Sequence, residues 1–136
     1  MVDQKEILLP GLGRGFHIIN SYIEQSLPSL PEKGLINIFI HHTSAALAIN
    51  ENADPTVRMD FESFFNKMVP ENDPAYRHNF EGPDDMPAHL KSSILGQSIN
   101  IPVRNGKMRL GTWQGIYLCE FRNHPYKRKV TITVLS

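Results

Sequence analysis

The chain has 136 residues, of which 40% are hydrophobic, and its 14 Lys+Arg balance its 14 Asp+Glu. That length suits one domain with a real core, and the zero net charge argues against a binder of nucleic acid or of an anionic membrane. Cys119 is the single cysteine, which excludes an internal disulfide. With no signal-peptide pattern at its start and no apolar run long enough to span a bilayer, we expect a soluble cytoplasmic protein.

Short strands dominate the first fifty residues. "KEILLP" and "GFHIIN" predict two strands joined by the "GLGRG" turn, and "SYIEQSLPSL" predicts one or two helical turns before the breaks at Pro28 and Pro31. "GLINIFI" is apolar on both of its alternating faces, which predicts a central strand. "AALAIN" predicts another strand shortly afterwards.

The clearest predicted helix begins at Asp54, a good N-cap that is followed by Pro55 and ends before Pro70. Five apolar residues recur in it at helical spacing, and we expect all of them in the core: Val57, Phe61, Phe64, Phe65 and Met68.

The second half predicts a short helix and then strands. The helix runs from about Pro87 to Leu95 and stops at Gly96. "SINIPV" and "KMRLG" flank Asn105-Gly106, a strong hairpin signal, and "TWQGIYLCEFR" and "RKVTITVLS" predict longer strands. We therefore expect a single domain over residues 1–136, an α+β fold that is a sheet-dominated β-sandwich with two or three short helices.

Residues 76–93, "YRHNFEGPDDMPAHLKSS", are unusually rich in titratable groups. His78 and His89 flank an acidic loop beside the predicted helix start, where free N–H groups favour an anion. Lys91, Ser92 and Ser93 are residue types that bind phosphate oxygens. Three imidazoles from separate segments would also form an open tetrahedral metal site, although the histidine spacing matches no specific motif.

Three other stretches look too polar for ordinary strands. "NENADP" places Asn50 and Glu51 directly after an apolar run. "GTWQG" sets Gln114 between two glycines, which allow another backbone or a ligand to approach closely. "CEFR" carries Glu120 and Arg122, which form either an exposed ion pair or a phosphate clamp with its orienting partner. We read His17 and His124 as ordinary polar residues.

Taken together, "RGFH", "HTSAAL", "NENADPTVRMD", "EGPDDMPAHLKSSILG" and "GTWQGIYLCEFR" resemble the YjbQ-like family, often labelled secondary thiamine-phosphate synthase enzymes. The resemblance covers nearly the whole chain. It implies a β-sandwich with helices on one side, a homotrimer, and a polar pocket around "HTSA", the acidic loop and "AHLKSS". It further implies a divalent metal, zinc, held by His42, His78 and His89.

The family label implies a reaction in which a pyrimidine diphosphate is joined to a thiazole phosphate with release of pyrophosphate. The catalytic candidates are Glu51, Asp85 and Glu120. The candidates for binding a small phosphorylated metabolite are Thr43, Ser44, Asn50, Lys91, Ser92, Ser93, Gln114 and Arg122. Two alternatives stay open: a metal-assisted hydrolase or phosphoesterase with Glu51 or Glu120 as base, and a non-catalytic metabolite-binding module.

Overall fold

The computed structural model describes residues 1–27 and 29–136, so the predicted break at Pro28 lies outside the described residues. Its elements alternate short strands with three helices in this order: β1 (Val2–Leu9), β2 (Gly15–Ile18), α1 (Asn20–Ser26), β3 (Lys33–Ile40), β4 (Ala45–Glu51), α2 (Pro55–Met68), α3 (Asp85–Leu95), β5 (Ser98–Arg104), β6 (Lys107–Met108), β7 (Gln114–Glu120) and β8 (Arg128–Leu135).

Two antiparallel sheets form a sandwich. The larger sheet has the order β1-β8-β3-β5-β6, and the smaller has the order β2-β7-β4. The predicted α+β sandwich is confirmed, and β3 occupies the central position that its two-sided apolar pattern predicts. Between the sheets, alternate residues such as Ile36 and Ile38 of β3 and Leu118 of β7 are buried in one apolar cluster.

The opposite face of the small sheet carries a second apolar cluster beneath α2 and α3. Tyr117 and Cys119 of β7 pack there with Phe61 and Phe65 of α2. The expectation that the whole α2 stripe is core is wrong, because Phe64 is 60% exposed. Phe64 lies about 100° around the helix axis from Phe65, so the two side chains cannot both face the sheet.

Met68, from the same stripe, is 46% exposed. It lies in the last turn of α2 and is not among the α2 residues that pack against the aromatic cluster. The α2 face that contacts the sheet is therefore narrower than its apolar pattern predicts.

Local signals set the ends of the elements. Asp54 Oδ1 accepts a hydrogen bond of 2.9 Å from Thr56 N–H, which caps α2 as predicted. Asn105 and Gly106 have φ of 54° and 73° between β5 and β6, the conformation of a tight hairpin turn. The helix α3 begins at Asp85, two residues before the predicted start. No helix in the described residues is long and apolar enough to cross a membrane.

Candidate metal centre

Two side chains of α3 and one from the preceding loop converge at the start of that helix. Asp85 and His89 are four positions apart, which places them on the same helix face. Asp85 Oδ2 lies 2.7 Å from His78 Nε2 and 3.3 Å from His89 Nε2. Asp85 is only 1% exposed, whereas both imidazoles reach solvent. We call these three side chains the His–Asp cluster.

The hydrogen bond on the far side of His89 fixes its protonation. His89 Nδ1 lies 2.8 Å from the carbonyl oxygen of Thr43, which can only accept, so Nδ1 carries a proton. In the neutral ring Nε2 then presents a lone pair to the carboxylate of Asp85. That lone pair faces Asp85 Oδ2 across 3.3 Å, an arrangement that would offer a bound cation two ligand atoms.

Arg122 holds the acidic side of the cluster in place. Its guanidinium donates to Asp85 Oδ1 at 2.5 Å and to Asp84 Oδ2 at 2.9 Å. A third bond of 3.0 Å reaches the carbonyl oxygen of Glu81 in the preceding loop. Arg122 therefore ties the loop to the start of α3 and leaves Asp85 Oδ2 to the two histidines.

Asp84 stays ionised beside this network. Its burial alone would raise the pKa of the carboxyl, but hydrogen bonds from Asn123 N–H and from the Arg122 guanidinium outweigh burial and lower that pKa. The bond from Asn123 N–H is 2.9 Å long. The two adjacent aspartates are thus both matched to Arg122, and Asp85 alone reaches the histidines.

The donor set fits a divalent metal. The three ligand atoms lie within 4.8 Å of one another. A tetrahedral zinc ion with bonds of about 2.0–2.1 Å separates its ligand atoms by about 3.4 Å, close to the distance between Asp85 and His89. The Nδ1–H of His89 bound to a backbone carbonyl is the usual outer contact of a metal-ligating histidine. Asp85 Oδ2 accepts a hydrogen bond of 2.7 Å from His78 Nε2, so His78 would have to release that proton and move away from Asp85 for all three atoms to bind one ion.

Cavities lie on both sides of the cluster. On the His89 side, a cavity of about 420 Å³ is lined in part by His42, Thr43, Ser93 and Gln97. On the other side, His78 lines a cavity of about 400 Å³ in the loop region. Either volume lies within the range that small-molecule ligands occupy.

His42, expected as the third histidine ligand, has a different partner. Its Nε2 lies 2.7 Å from the backbone nitrogen of Lys129. The structure brings His78 and His89 together with Asp85 and places His42 in the wall of the neighbouring cavity. The carboxylate of Asp85 thus occupies the third position of the cluster.

The "HTS" and "SS" hydroxyl residues lie beside the cluster with different contacts. Ser92 Oγ donates to the carbonyl oxygens of Thr43 at 2.8 Å and His89 at 3.1 Å, and Ser92 is buried. Ser44 is also buried, and its carbonyl oxygen accepts a bond from Arg128. Ser93 and Thr43 are exposed and line the cavity on the His89 side.

Lys91, expected on phosphate, faces away from the histidines. It is 1% exposed, and its Nζ donates to Asn66 Oδ1 of α2 at 2.6 Å. The same Asn66 oxygen accepts a bond of 2.6 Å from Arg14. Burial, followed by the charge of Arg14, lowers the pKa of Lys91. Lys91 therefore belongs to a network that joins α2 to α3 behind the cluster.

Glu120, a catalytic candidate, is fully engaged in a buried ion pair. Its Oε1 and Oε2 accept bonds of 2.7 and 2.5 Å from the guanidinium of Arg128. Both side chains are almost completely buried. The Tyr126 ring lies 5.4 Å from this guanidinium and 5.6 Å from that of Arg122. This pair supports the loop that carries Arg122.

The "NEN" and "GTWQG" residues lie at the other end of the small sheet. Glu51 pairs with Gln114, whereas Ala45 pairs with Glu120 near the cluster. Seven strand residues span about 20 Å, so Asn50, Glu51 and Gln114 are remote from the cluster of the same chain. Gln114 Oε1 accepts a bond of 2.7 Å from Gly111 N–H, which closes its own turn.

The sequence marks Asp85 as a catalytic candidate and not as a partner of the histidines. The predicted helix begins near Pro87, so the four-residue spacing that places Asp85 and His89 on one helix face follows only from the observed start at Asp85. The role of Arg128 carries no local sequence signal, because its partner Glu120 belongs to another strand and their pairing depends on the fold.

Comparisons with known proteins agree on one family. A family model described as UPF0047 protein YjbQ-like matches residues 5–136. The UPF0047 protein YjbQ of Salmonella typhimurium is 52% identical over 133 residues, covering 96% of each chain. A UPF0047 protein of Synechocystis is 44% identical over 132 residues, covering 96% of this chain and 90% of the relative.

Solved structures show the same fold. A conserved hypothetical protein from Thermus thermophilus has a TM-score of 0.83 at 34% identity and covers 94% of this chain and 97% of its own. An uncharacterised protein of the family from Clostridium acetobutylicum has a TM-score of 0.82 at 36% identity, covering 96% of this chain and 99% of its own.

Proposed function

We propose that this chain, which belongs to the YjbQ-like UPF0047 family, is a metal-dependent enzyme with thiamine-phosphate synthase-type activity. It would join a pyrimidine diphosphate to a thiazole phosphate and release pyrophosphate. The observation that carries the proposal is the convergence of His78, Asp85 and His89 between two ligand-sized cavities. Two imidazoles and one carboxylate form a known set of catalytic metal ligands with positions left for substrate.

The reaction suits the groups at this site. A bound divalent ion would supply the positive charge that a departing diphosphate needs. Arg122 orients Asp85, and the exposed hydroxyls of Thr43 and Ser93 line the adjoining cavity as hydrogen-bonding groups. The thiazole nitrogen attacks with its own lone pair, so the chemistry needs no general base from the chain.

The hydrolase alternative has less support, because it requires a carboxylate base beside the metal. Glu120 is locked to Arg128 by two hydrogen bonds. Glu51 lies at the opposite end of β4, about 20 Å away. Asp84 and Asp85 are both held by Arg122. A binding module without turnover uses the same groups, and product formation distinguishes it.

Zinc is the proposed metal. The pairing of two histidines with one carboxylate occurs in catalytic zinc sites, and iron(II) enzymes use a similar facial set. Metal analysis of protein purified without added metal identifies the ion.

The proposal includes a cytoplasmic homotrimer that binds a small phosphorylated metabolite. Large apolar side chains on the surface support an assembly: Met59 is 65% exposed, Phe64 60% and Trp113 64%. Such side chains commonly mark protein interfaces. Light scattering at micromolar concentration should give three times the chain mass, and a monomer mass would contradict the trimer.

The deciding experiment measures pyrophosphate release from the two substrates by zinc-loaded protein. Wild type should turn over, and Asp85→Asn should lose both zinc and product formation. His124→Ala, in an exposed loop, is the matched histidine control and should behave as wild type. Orthophosphate released from simple phosphate esters would favour the hydrolase instead, and saturable binding without any product would favour the binding module.

A further inference from the structure

The protonation of His42 follows from a single contact. The backbone N–H of Lys129 can only donate, and its nitrogen lies 2.7 Å from His42 Nε2. His42 Nε2 therefore accepts this bond with its one lone pair, and the neutral ring carries its proton on Nδ1. In this state His42 has no lone pair left for a metal ion, but it has one N–H to donate.

The surroundings keep His42 neutral. Burial, and next the positive charge of Arg128, lower the pKa of its imidazole. Arg128 is itself fixed by its buried pair with Glu120. The state in which Nδ1 alone carries a proton is therefore maintained at neutral pH.

His42 lines the same cavity as His89 of the cluster. Regular pairing of β3 ends at Ile40, so the strand alternation that would send neighbouring side chains to opposite sides stops before His41 and His42. The described lining of this cavity includes hydroxyl, amide and imidazole groups but no lysine or arginine. A metal ion at the cluster would supply the positive charge that neither of these residue types provides here.

We propose that His42 is a neutral hydrogen-bond donor to a phosphate-type oxyanion in this cavity, and not a metal ligand. The inference rests on the metal site of the proposed function and assigns the substrate phosphate to the His89 side of that site. One oxyanion oxygen would face the metal position while another accepts from His42 Nδ1–H. Neutral donors recognise such oxygens well when fixed dipoles replace water around them.

The tautomer can be tested in the wild-type protein without any substitution. Long-range proton–nitrogen NMR correlations of the ¹⁵N-labelled chain at neutral pH distinguish a protonated ring nitrogen from one with a lone pair. We expect a protonated Nδ1 and a lone pair on Nε2 for His42. A proton on Nε2, or on both nitrogens, would overturn the assignment.

The ligand can be tested by calorimetric titration of inorganic phosphate into zinc-loaded protein freed of excess zinc. His42→Leu should weaken phosphate binding about tenfold or more, since a hydrogen bond to a charged group is lost. His42→Asn, whose amide N–H replaces Nδ1–H, should restore part of the affinity. The control His124→Leu should bind phosphate as wild type does, and all four proteins should contain equal zinc.

Different results would refute the proposed function and the donor role of His42. Wild type that holds no zinc would refute the proposed function. Wild type that holds zinc but binds no phosphate, or equal phosphate affinity in wild type and His42→Leu, would refute the donor role alone. Loss of zinc in a folded His42→Leu would restore His42 as a ligand and overturn the inference.

Discussion

Arg122 and Asp85 form the shortest contact at the His–Asp cluster: a guanidinium nitrogen lies 2.5 Å from Asp85 Oδ1. This contact turns the other oxygen of Asp85 toward both histidines. Because the same guanidinium binds Asp84 and the carbonyl oxygen of Glu81, it acts as a planar fork that a lysine cannot reproduce.

Arg122→Lys should therefore weaken zinc binding by about ten- to a hundredfold, the usual cost of removing a group that orients a metal ligand. Competition with a chelator of known zinc affinity measures the change. Arg104→Lys, in an exposed position at the end of β5, is the matched control and should be unchanged. Equal zinc affinity in Arg122→Lys and wild type would remove the orienting role from Arg122.

Asp84 makes the stability of the fold depend on pH in the acid range. Its pKa is lowered in the folded protein, so the folded state binds this proton less readily than the unfolded state does. The stabilisation is fully present above the ordinary aspartate pKa of about 3.9 and is lost as pH falls through the lowered folded value.

Urea unfolding of metal-free protein should show a smaller fall in stability below about pH 4 for Asp84→Asn than for wild type. Asp60→Asn, which changes an exposed carboxylate of α2, should follow wild type. Parallel pH profiles for Asp84→Asn and wild type would show that Asp84 makes no such contribution.

Lys91→Met should leave zinc and phosphate affinity unchanged. The Lys91 ammonium is buried against α2, where Asn66 Oδ1 still has Arg14 as a donor after the substitution. The substitution removes the desolvation cost of a buried ammonium and keeps an apolar side chain of similar length in its place. A tenfold loss of phosphate affinity would instead return Lys91 to the ligand site that the sequence alone predicts.

The lowered pKa of Lys91 also predicts how the stability of the fold changes with pH. The unfolded chain holds this proton more tightly, so the cost of burying the charge disappears as pH rises from the folded value toward about 10.4. The free energy of unfolding of the wild type should therefore rise with pH in that window, and that of Lys91→Met should not. Lys127→Met, at an exposed position, should keep the rise, and an identical profile for Lys91→Met would contradict the argument.

Glu120→Gln should destabilise the fold by about 3–5 kcal/mol, because it leaves the buried Arg128 guanidinium without a matching charge. Urea unfolding monitored by circular dichroism measures this. Glu62→Gln, which changes a partly buried carboxylate of α2, is the control and should cost less stability than Glu120→Gln. A Glu120→Gln protein that keeps wild-type stability but loses activity would mark Glu120 as catalytic instead.

Local patterns predicted much of the fold. The α2 cap at Asp54, the Asn105-Gly106 turn and the central place of β3 all follow from short-range chemistry. The exposure of Phe64 does not follow from the sequence pattern. An apolar stripe defines a helix face only approximately, and the sheet against which the helix packs buries only part of that stripe.

The site divides in a similar way. The dense segment 76–93 predicts that His78 and His89 lie close together, whereas the predicted helix start near Pro87 leaves Asp85 outside the helix that carries His89. The sequence predicts Lys91 on phosphate. In the structure its Nζ donates to Asn66 on a different side of α3 from His89, because two helical positions differ by about 200° around the axis. The bond from Lys129 N–H to His42 joins residues 87 apart in the sequence and lies beyond the last regular pair of β3 and β8, so it depends on the tertiary fold.

The most direct test of the metal centre is an anomalous-difference map at the zinc edge from crystals grown with one zinc per chain. We expect one peak about 2.0–2.2 Å from His78 Nε2, Asp85 Oδ2 and His89 Nε2, with His42 Nε2 still bound to Lys129 N–H. A zinc peak on His42, or no peak at the His–Asp cluster, would contradict the proposed metal site.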